Sequence, residues 1–351
     1  MPDQLFMSDK NSPVRKLTIV RNDEKPVQNY RFASQLFFLA ICTWIGIEFT
    51  VFVFHLENFV PGTEYYRPPG VEAFLPISAL MSSYYFLLTG VVHAVHPAGF
   101  FIFAGIVGMS FIAGKSFCSW VCPVGFLSEL TGEFGKKLFR NKLHMPKFLD
   151  IPLRSLKYLL LGFFSFSIIG FSAVELRGFL SSDYNTIADI KLFEFFRNLS
   201  PFAFYTLVSL LLLSVLFRNF WCRYLCPYGA FLGVVGLLSP SKITRNSSSC
   251  IDCSLCDKAC PSRIKVSKAK VVISDECTSC MACVDACPVK DTLNYKILPT
   301  KTYQKKTIIA AAALFIFGFA LSAGILSGQW NNKIPASVYE QIYEHRDAVS
   351  H

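Results

Sequence analysis

The strongest constraint on this chain is a set of eight cysteines arranged in two identical groups within residues 250–288. Each group reads C-x2-C-x2-C-x3-C-P, and the second group begins 27 residues after the first. Three thiols separated by two residues each let a tight loop wrap one iron–sulfur cube, while the fourth thiol reaches a neighbouring cube. The first group is Cys250, Cys253, Cys256 and Cys260 with Pro261, and the second is Cys277, Cys280, Cys283 and Cys287 with Pro288.

This spacing predicts two [4Fe–4S] clusters whose ligands are exchanged between the groups. The predicted ligand sets are Cys250, Cys253, Cys256 and Cys287 for one cluster, and Cys277, Cys280, Cys283 and Cys260 for the other. A pair of zinc knuckles is the alternative, but zinc sites normally combine two C-x2-C or C/H pairs across a longer gap. The segment resembles a bacterial-type 2[4Fe–4S] ferredoxin, a module that transfers single electrons.

Composition places this module in a membrane protein. Hydrophobic residues make up 52% of the chain and charged residues 17%, a balance that predicts membrane-spanning helices. Twelve of the 13 cysteines fall in C-x2-C or C-x3-C groups, which suit metals better than secreted disulfides. The formal net charge of +10 is expected from basic cytoplasmic loops that touch anionic lipid, so no nucleic-acid partner is predicted.

Hydropathy and loop charge together predict about five membrane spans. These spans cover residues 32–54, 97–115, 155–174, 201–217 and 307–327. Residues 74–92 are also uncharged, but a span there would place the following basic loop outside, against the positive-inside rule. This segment is therefore predicted to be re-entrant or interfacial. Two external loops are predicted, at 56–73 and 175–200.

The predicted fold class is an α-helical polytopic membrane protein with an inserted α+β ferredoxin domain. Its parts are a cytoplasmic segment at 1–30, a four-helix membrane domain at 31–240, the ferredoxin at 241–300, a fifth helix at 301–328 and a periplasmic tail at 329–351. Lysines and arginines in the first segment, which lacks a signal-peptide pattern, predict a cytoplasmic N-terminus. The expected location is the bacterial inner membrane, with the ferredoxin in the cytoplasm.

A second cysteine motif occurs twice within the membrane part. Residues 117–125 (FCSWVCPVG) match residues 221–229 (WCRYLCPYG), which gives an internal repeat of 104 residues. The repeat predicts that both C-x3-C-P motifs lie at the cytoplasmic rim, each with its two thiols on one helical face. Four converging thiols would suit a third [4Fe–4S] cluster, or a soft copper or zinc site. A disulfide-exchange pair and inert buried cysteines remain alternatives. The four residues, here named the rim cysteines, are Cys118, Cys122, Cys222 and Cys226.

Taken together, these motifs resemble the NapH/NosR/YccM/FixG-type membrane ferredoxins. The resemblance covers roughly residues 30–300 and includes residues 67–76 (RPPGVEAFLP) and 96–99 (HPAG) besides the cysteine motifs. It implies an inner-membrane electron-transfer protein, such as a subunit of a quinol dehydrogenase-type complex, that passes electrons from quinol to a respiratory reductase. Quinone, membrane lipid and redox proteins are the partners that it implies. The alternative function is a metal-reducing assembly factor for a copper or other metalloenzyme.

Glu48 and His96 are the candidate residues for a quinol site. Glu48 interrupts the first predicted span, where a carboxylate is costly unless it has a partner or a role. His96 precedes the second span, near the predicted outer face. A histidine and a carboxylate together can take protons from quinol. Such residues also occur without function, hydrated at the membrane interface.

Overall fold

The computed structural model describes residues 20–24, 26–58, 66–139, 145–297, 306–346 and 348–349, which are mostly helical. The helices are α1 (Gln28–Asn58), α2 (Pro76–Thr89), α3 (Pro97–Ala113), α4 (Phe117–Trp120), α5 (Pro123–Phe139), α6 (Lys147–Ile169), α7 (Ala173–Leu180), α8 (Asp183–Thr186), α9 (Ala188–Arg197), α10 (Pro201–Leu216), α11 (Pro227–Leu237), α12 (Leu255–Ala259), α13 (Ala282–Asp285), α14 (Lys306–Leu326) and α15 (Ala336–Glu344). The strands are β1 (Ser241–Arg245) and β2 (Leu293–Ile297), and a 3₁₀ turn covers Pro69–Phe74. The predicted fold class is confirmed.

Three of the described helices are long and apolar enough to cross a membrane, namely α1, α6 and α14. A fourth span results if α9 and α10, which are bent by 82° at the break between them, count as one. The helices α3 and α10, predicted as full spans, have only 17 and 16 residues, at the lower limit for the hydrocarbon core. The 14 residues of α2 are too few to cross, as predicted for 74–92.

The membrane part is packed around α3. Glycines on this helix let α14 approach closely, since a Cβ at Gly105 would lie 3.0 Å from the Cβ of Ala320. Small residues at a helix interface permit this close contact between backbones. Elsewhere in the membrane part, large apolar side chains such as Phe166 of α6 and Phe202 of α10 are more than 80% exposed, as expected where lipid replaces water. Helix α14, which follows the ferredoxin in the chain, therefore packs against the membrane helix α3, which precedes the ferredoxin.

Residues 175–200, predicted as an external loop between spans, contain three short helices instead of irregular chain. Ser172 caps α7 in a reciprocal arrangement with Glu175, and the side chain of Ser182 caps α8 by accepting from the Asn185 amide. These serines satisfy amide groups that would otherwise be free at the helix starts. Of the other predicted loop, 56–73, residues 59–65 lie outside the described part, and Pro69–Phe74 makes one 3₁₀ turn.

A two-stranded sheet joins the two ends of the ferredoxin. β1 and β2 pair antiparallel, with Ser241 opposite Ile297. The N-terminal segment contributes as well, because the Asn22 amide donates to the Pro288 carbonyl at 2.9 Å. Residues 20–24 of the predicted cytoplasmic segment thus lie against the ferredoxin instead of extending freely from the membrane.

Candidate functional site

The structure brings together the two crossed sets of ferredoxin cysteines. In the first set, named site I, Cys287 lines a cavity with the first three cysteines of the other group. In the second set, named site II, Cys260 of the first group lines a cavity with the first three cysteines of the second group. The members are Cys250, Cys253, Cys256 and Cys287 in site I, and Cys260, Cys277, Cys280 and Cys283 in site II.

The two ferredoxin loops share an unusual backbone conformation around their second cysteine. Asp252 and Ser254 have φ angles of 51° and 56°, and the equivalent Ser279 and Met281 have φ angles of 50° and 59°. Residues other than glycine rarely adopt this left-handed region. Alternating right- and left-handed residues turn successive amide N–H groups toward one side, which creates a concave anion-binding surface. Both loops are therefore shaped to surround an anionic group.

The four rim cysteines line a single cavity of about 200 Å³. One pair comes from each copy of the 104-residue repeat, so the repeat places two motifs that are distant in sequence around one space. This space is named the rim site. Other side chains on its wall include Arg31, Lys115, Glu129, Asn219 and Tyr228.

Each C-x3-C segment is wound more widely than an α-helix. The Cys122 amide donates to the Phe117 carbonyl and the Cys226 amide to the Trp221 carbonyl, both at 3.0 Å and five residues back. α4 ends at Trp120, before the second cysteine. The second thiol of each pair therefore follows a turn wider than that of an α-helix, and both thiols of each pair line the same cavity. Wide turns of this π type occur frequently at functional sites.

The proline and glycine after each pair form the start of the next helix. Cys122 and Cys226 precede α5 and α11, whose first residue is proline, where a missing N–H costs nothing. The Gly125 amide donates to Cys122 Sγ at 3.4 Å, and the Gly229 amide donates to Cys226 Sγ at 3.2 Å. A helix N-terminus stabilises a thiolate. Sequence reasoning missed this role, although C-P-x-G at both copies was its signal.

In the first repeat, hydrogen bonds join the cysteine-bearing segments of the rim site and site II. Ser119 Oγ donates to the Thr278 carbonyl at 2.6 Å, and Trp120 Nε1 donates to the Ser279 carbonyl at 3.3 Å. The donors lie between the two cysteines of one pair, and the acceptors lie between two ligands of site II. Cys280 lines both cavities. The two sites are therefore direct neighbours.

The second repeat makes an equivalent contact. Arg223, which lies between its two rim cysteines, donates from Nη1 to the Ser262 carbonyl at 3.0 Å, two residues after the site II ligand Cys260. An ion pair of 3.0 Å between Arg223 Nη2 and Asp150 Oδ2 fixes the arginine. Cys253 of site I, which does not line the rim cavity, is exposed.

The thiols of the rim site fit a cluster better than a single ion. Burial raises the pKa of Cys118 to about 11 and that of Cys222 to about 12, so without metal these thiols are neutral. Metal coordination removes their protons. Within the described residues, no three Cys, His, Asp or Glu side chains are grouped closely enough to hold one ion. Four thiols around a larger space are the usual ligands of a [4Fe–4S] cluster.

The two candidate quinol residues lie in different surroundings. Glu48 is half-buried on α1, and among the described residues it has no hydrogen bond or ion pair. His96 is buried before α3, with Nε2 2.6 Å from the Asn185 carbonyl and Nδ1 3.1 Å from Arg67 Nη2. Within the described residues, no hydrogen bond or ion pair joins Glu48 to His96. The two do not form one cluster.

His96 belongs instead to a buried ion network at the end of α3 farther from the ferredoxin. Arg67 donates from Nη1 to Glu72 at 2.8 Å and from Nε to Asp189 at 2.7 Å. The other Glu72 oxygen accepts from the Gly99 amide at 2.8 Å. Both carboxylates are 0% exposed. The network connects the RPPGVE and HPAG motifs to α9.

These features define a class: a membrane protein that combines duplicated C-x3-C-P motifs with a two-cluster ferredoxin. A family described as a 4Fe-4S binding domain matches the chain twice, at residues 95–144 and 199–246, and a 4Fe-4S dicluster domain matches residues 242–288. The two matches of the first family begin 104 residues apart, which confirms the internal repeat.

One relative matches almost the whole chain, and others match about half of it. It is 40% identical to the putative electron transport protein YccM of Escherichia coli K12 over 339 residues, 94% of either chain. It is 30% identical over 199 residues to the methylamine utilization ferredoxin-type protein MauN of Methylobacillus flagellatus, which covers 55% of this chain and 62% of MauN. It is also 30% identical over 146 residues to the regulatory protein NosR of Stutzerimonas stutzeri, covering 41% of this chain and 19% of NosR. No solved structure matches it. The chain belongs to the NapH/NosR/YccM-type membrane ferredoxins, a family of iron–sulfur electron-transport proteins.

Proposed function

We propose that this protein passes electrons between the quinone pool and a redox partner, such as a respiratory reductase, with iron–sulfur clusters at the rim site, site II and site I. The supporting observation is the direct bonding between the ligand-bearing loops of the rim site and site II. A [4Fe–4S] cluster supplies a one-electron carrier wherever it is bound. The protein itself supplies rigid neighbouring sites that shorten the path between carriers.

Burial and contacts support one order for the three sites. The rim site lies against spanning helix α1, whose Arg31 lines its cavity and pairs with Glu129 of α5 at 2.7 Å. Site II touches the rim site, and site I has the exposed ligand Cys253. We therefore assign electron exchange with the membrane to the rim site and exchange with a soluble redox protein to site I.

We further propose that the ferredoxin faces the cytoplasm of a bacterial inner membrane. α1 begins beside the ferredoxin, where Gln28 Nε2 donates to the Cys280 carbonyl at 2.9 Å. It ends beside the C-terminal tail, where the Tyr343 hydroxyl donates to Glu57 at 3.1 Å. The tail and the ferredoxin thus lie at opposite ends of a spanning helix, which supports a periplasmic tail. Clusters are normally assembled in the reducing cytoplasm.

Iron content tests the rim site. Protein purified without oxygen should hold about 12 iron atoms per chain, against about 8 if only sites I and II are loaded. Replacing Cys118 and Cys222 together by serine should remove the difference, because two of four thiolate ligands are lost, and should leave the EPR signals of sites I and II intact. Cys42→Ser is the matched control, since Cys42 lies on α1 and belongs to none of the three sites.

Two results would contradict a cluster at the rim site. About 8 iron atoms together with one equivalent of copper would favour the assembly-factor function. About 8 iron atoms without another metal would leave only the dithiol or structural interpretations of the rim cysteines.

Glu48 is the residue we propose to accept protons from quinol. An ionisable side chain within a span is costly unless it has a role, and His96 already has both ring nitrogens engaged. Glu48→Gln should slow quinol-driven reduction of the clusters about 10²-fold, a typical loss for a general base. Reduction by dithionite should be unchanged. Asp183→Asn, at an exposed carboxylate, is the control, and an unchanged quinol rate in Glu48→Gln would refute the assignment.

A further inference from the structure

A buried lysine that makes no contact ion pair within the described residues lies on the wall of the rim site. Lys115 follows α3, is 4% exposed and lines the cavity. Among the described residues it has no hydrogen bond or ion pair. A buried ammonium group is unfavourable unless an opposite charge compensates it. The position of Lys115 therefore indicates that an anion belongs in this cavity.

The other basic side chains on the described wall have carboxylate partners. These pairs are Arg31 with Glu129 at 2.7 Å, Arg218 with Glu133 at 3.1 Å and Arg223 with Asp150 at 3.0 Å. Each pair is close to neutral, so it adds little net potential inside the cavity. Lys115 is thus the cation on the described wall that has no carboxylate in contact with it, and its charge is shared only at longer range, with Asp275.

The backbone at Lys115 is held firmly beside the ferredoxin. The Gly114 amide donates to Ser239 Oγ at 3.0 Å, and the Tyr295 hydroxyl donates to the Ala113 carbonyl at 2.7 Å. Gly114 has a φ angle of 64°, and a Cβ there would lie 2.6 Å from Ser279 Oγ, so glycine is required. These contacts fix the backbone next to Lys115 before any ligand binds, which lowers the cost of using its charge.

The charge reaches both halves of the site but comes from only one repeat. Lys115 lines the same cavity as Cys118 and Cys222, which come from different repeats. The equivalent residue in the second repeat is Asn219, which also lines the cavity and whose buried Oδ1 has no partner in the described structure. The cysteine motif is therefore duplicated, whereas the cation is not.

We propose that Lys115 is the counter-charge of the rim cluster and raises its reduction potential. This proposal rests on the third cluster proposed above. A cluster held by four thiolates is a net anion, and an added electron makes it more negative. A fixed positive charge nearby therefore stabilises the reduced form more than the oxidised form. The same charge favours assembly of the cluster in a buried site.

Redox titration followed by EPR tests this role. In Lys115→Met, the ratio of reduced to oxidised rim cluster at a given potential should fall at least tenfold, equivalent to about 59 mV for one electron. Lys115→Arg should keep the original potential. Lys242→Met is the matched control, because the charge of Lys242 acts on Cys277 of site II. That variant should shift the site II signal and leave the rim signal in place.

The outcomes separate this proposal from the one it rests on. A count of about 8 iron atoms in the unmodified protein would refute the proposed rim cluster, and with it the proposed role of Lys115. About 12 iron atoms with an unchanged rim potential in Lys115→Met would overturn only the role of Lys115. Loss of the rim cluster in Lys115→Met but not in Lys115→Arg would support the counter-charge. Loss in both variants would assign Lys115 to packing and overturn the proposal.

Discussion

Replacing Arg67 by leucine should lower the free energy of unfolding by about 3–5 kcal/mol, because two buried carboxylates would lose their counter-charge. Arg67 lies 2.8 Å from a Glu72 oxygen and 2.7 Å from an Asp189 oxygen. Neither carboxylate is reached by solvent. The midpoint of thermal unfolding of the detergent-solubilised protein would measure the loss.

The electrostatics of the buried ion network explain this expectation. Burial alone raises the pKa of Glu72, but the hydrogen bond to His96 and the charge of Arg67 outweigh burial and hold that pKa below its usual value. Glu72 is therefore ionised in the folded protein. Because the folded-state pKa is lowered, this stabilisation is complete above the ordinary carboxyl pKa and is lost as the pH falls through the lowered value.

A charge-free network provides the control. The triple variant Arg67→Leu, Glu72→Gln, Asp189→Asn should recover most of the lost stability, since removing every charge of a buried network costs far less than stranding two of them. The stability of Arg67→Lys should lie between that of Arg67→Leu and that of the unmodified protein, because lysine keeps the charge but lacks the forked N–H groups of arginine. Equal unfolding midpoints for Arg67→Leu and the triple variant would assign the loss to packing.

The grouping of the ferredoxin cysteines was predictable because short cysteine spacings are typical of iron–sulfur cluster ligands. The crossed partners Cys260 and Cys287 follow from that spacing, and the structure places each with the opposite group. Convergence of the rim cysteines was predictable for a different reason. A repeat of 104 residues relates the two pairs, and related units pack so that equivalent elements meet.

Contacts between distant segments were not predictable from local pattern. Acidic residues in 175–200 suggest a solvated loop, yet Asp189 is 2% exposed because Arg67, 122 residues earlier, pairs with it. Local spacing also cannot distinguish Lys115, a buried cation facing a cavity, from a basic residue at a membrane rim. Its importance depends on burial and on the absence of a partner among the described residues, which only packing determines.

Gly125→Ala should abolish the rim cluster. A Cβ at Gly125 would overlap the carbonyl oxygen of Cys118, far inside van der Waals contact. The start of α5 would have to move away from Cys118, and the Gly125 amide that donates to Cys122 Sγ would move with it. Misplacing two of four ligands should reduce the iron content from about 12 to about 8 atoms and remove the rim EPR signal.

The second repeat supplies the matched substitution. A Cβ at Gly229 would lie 3.5 Å from Cys226 Sγ, an ordinary van der Waals contact, so Gly229→Ala should keep the rim cluster. The two glycines occupy the same position in C-P-x-G, and both amides donate to a cysteine sulfur. Equal iron loss in both variants would mean that any side chain at this position of the motif disturbs the site, and would contradict a special role of the Cys118 carbonyl. Loss confined to Gly125→Ala would show that the close approach of the Cys118 carbonyl, present in one repeat only, sets the geometry of the site.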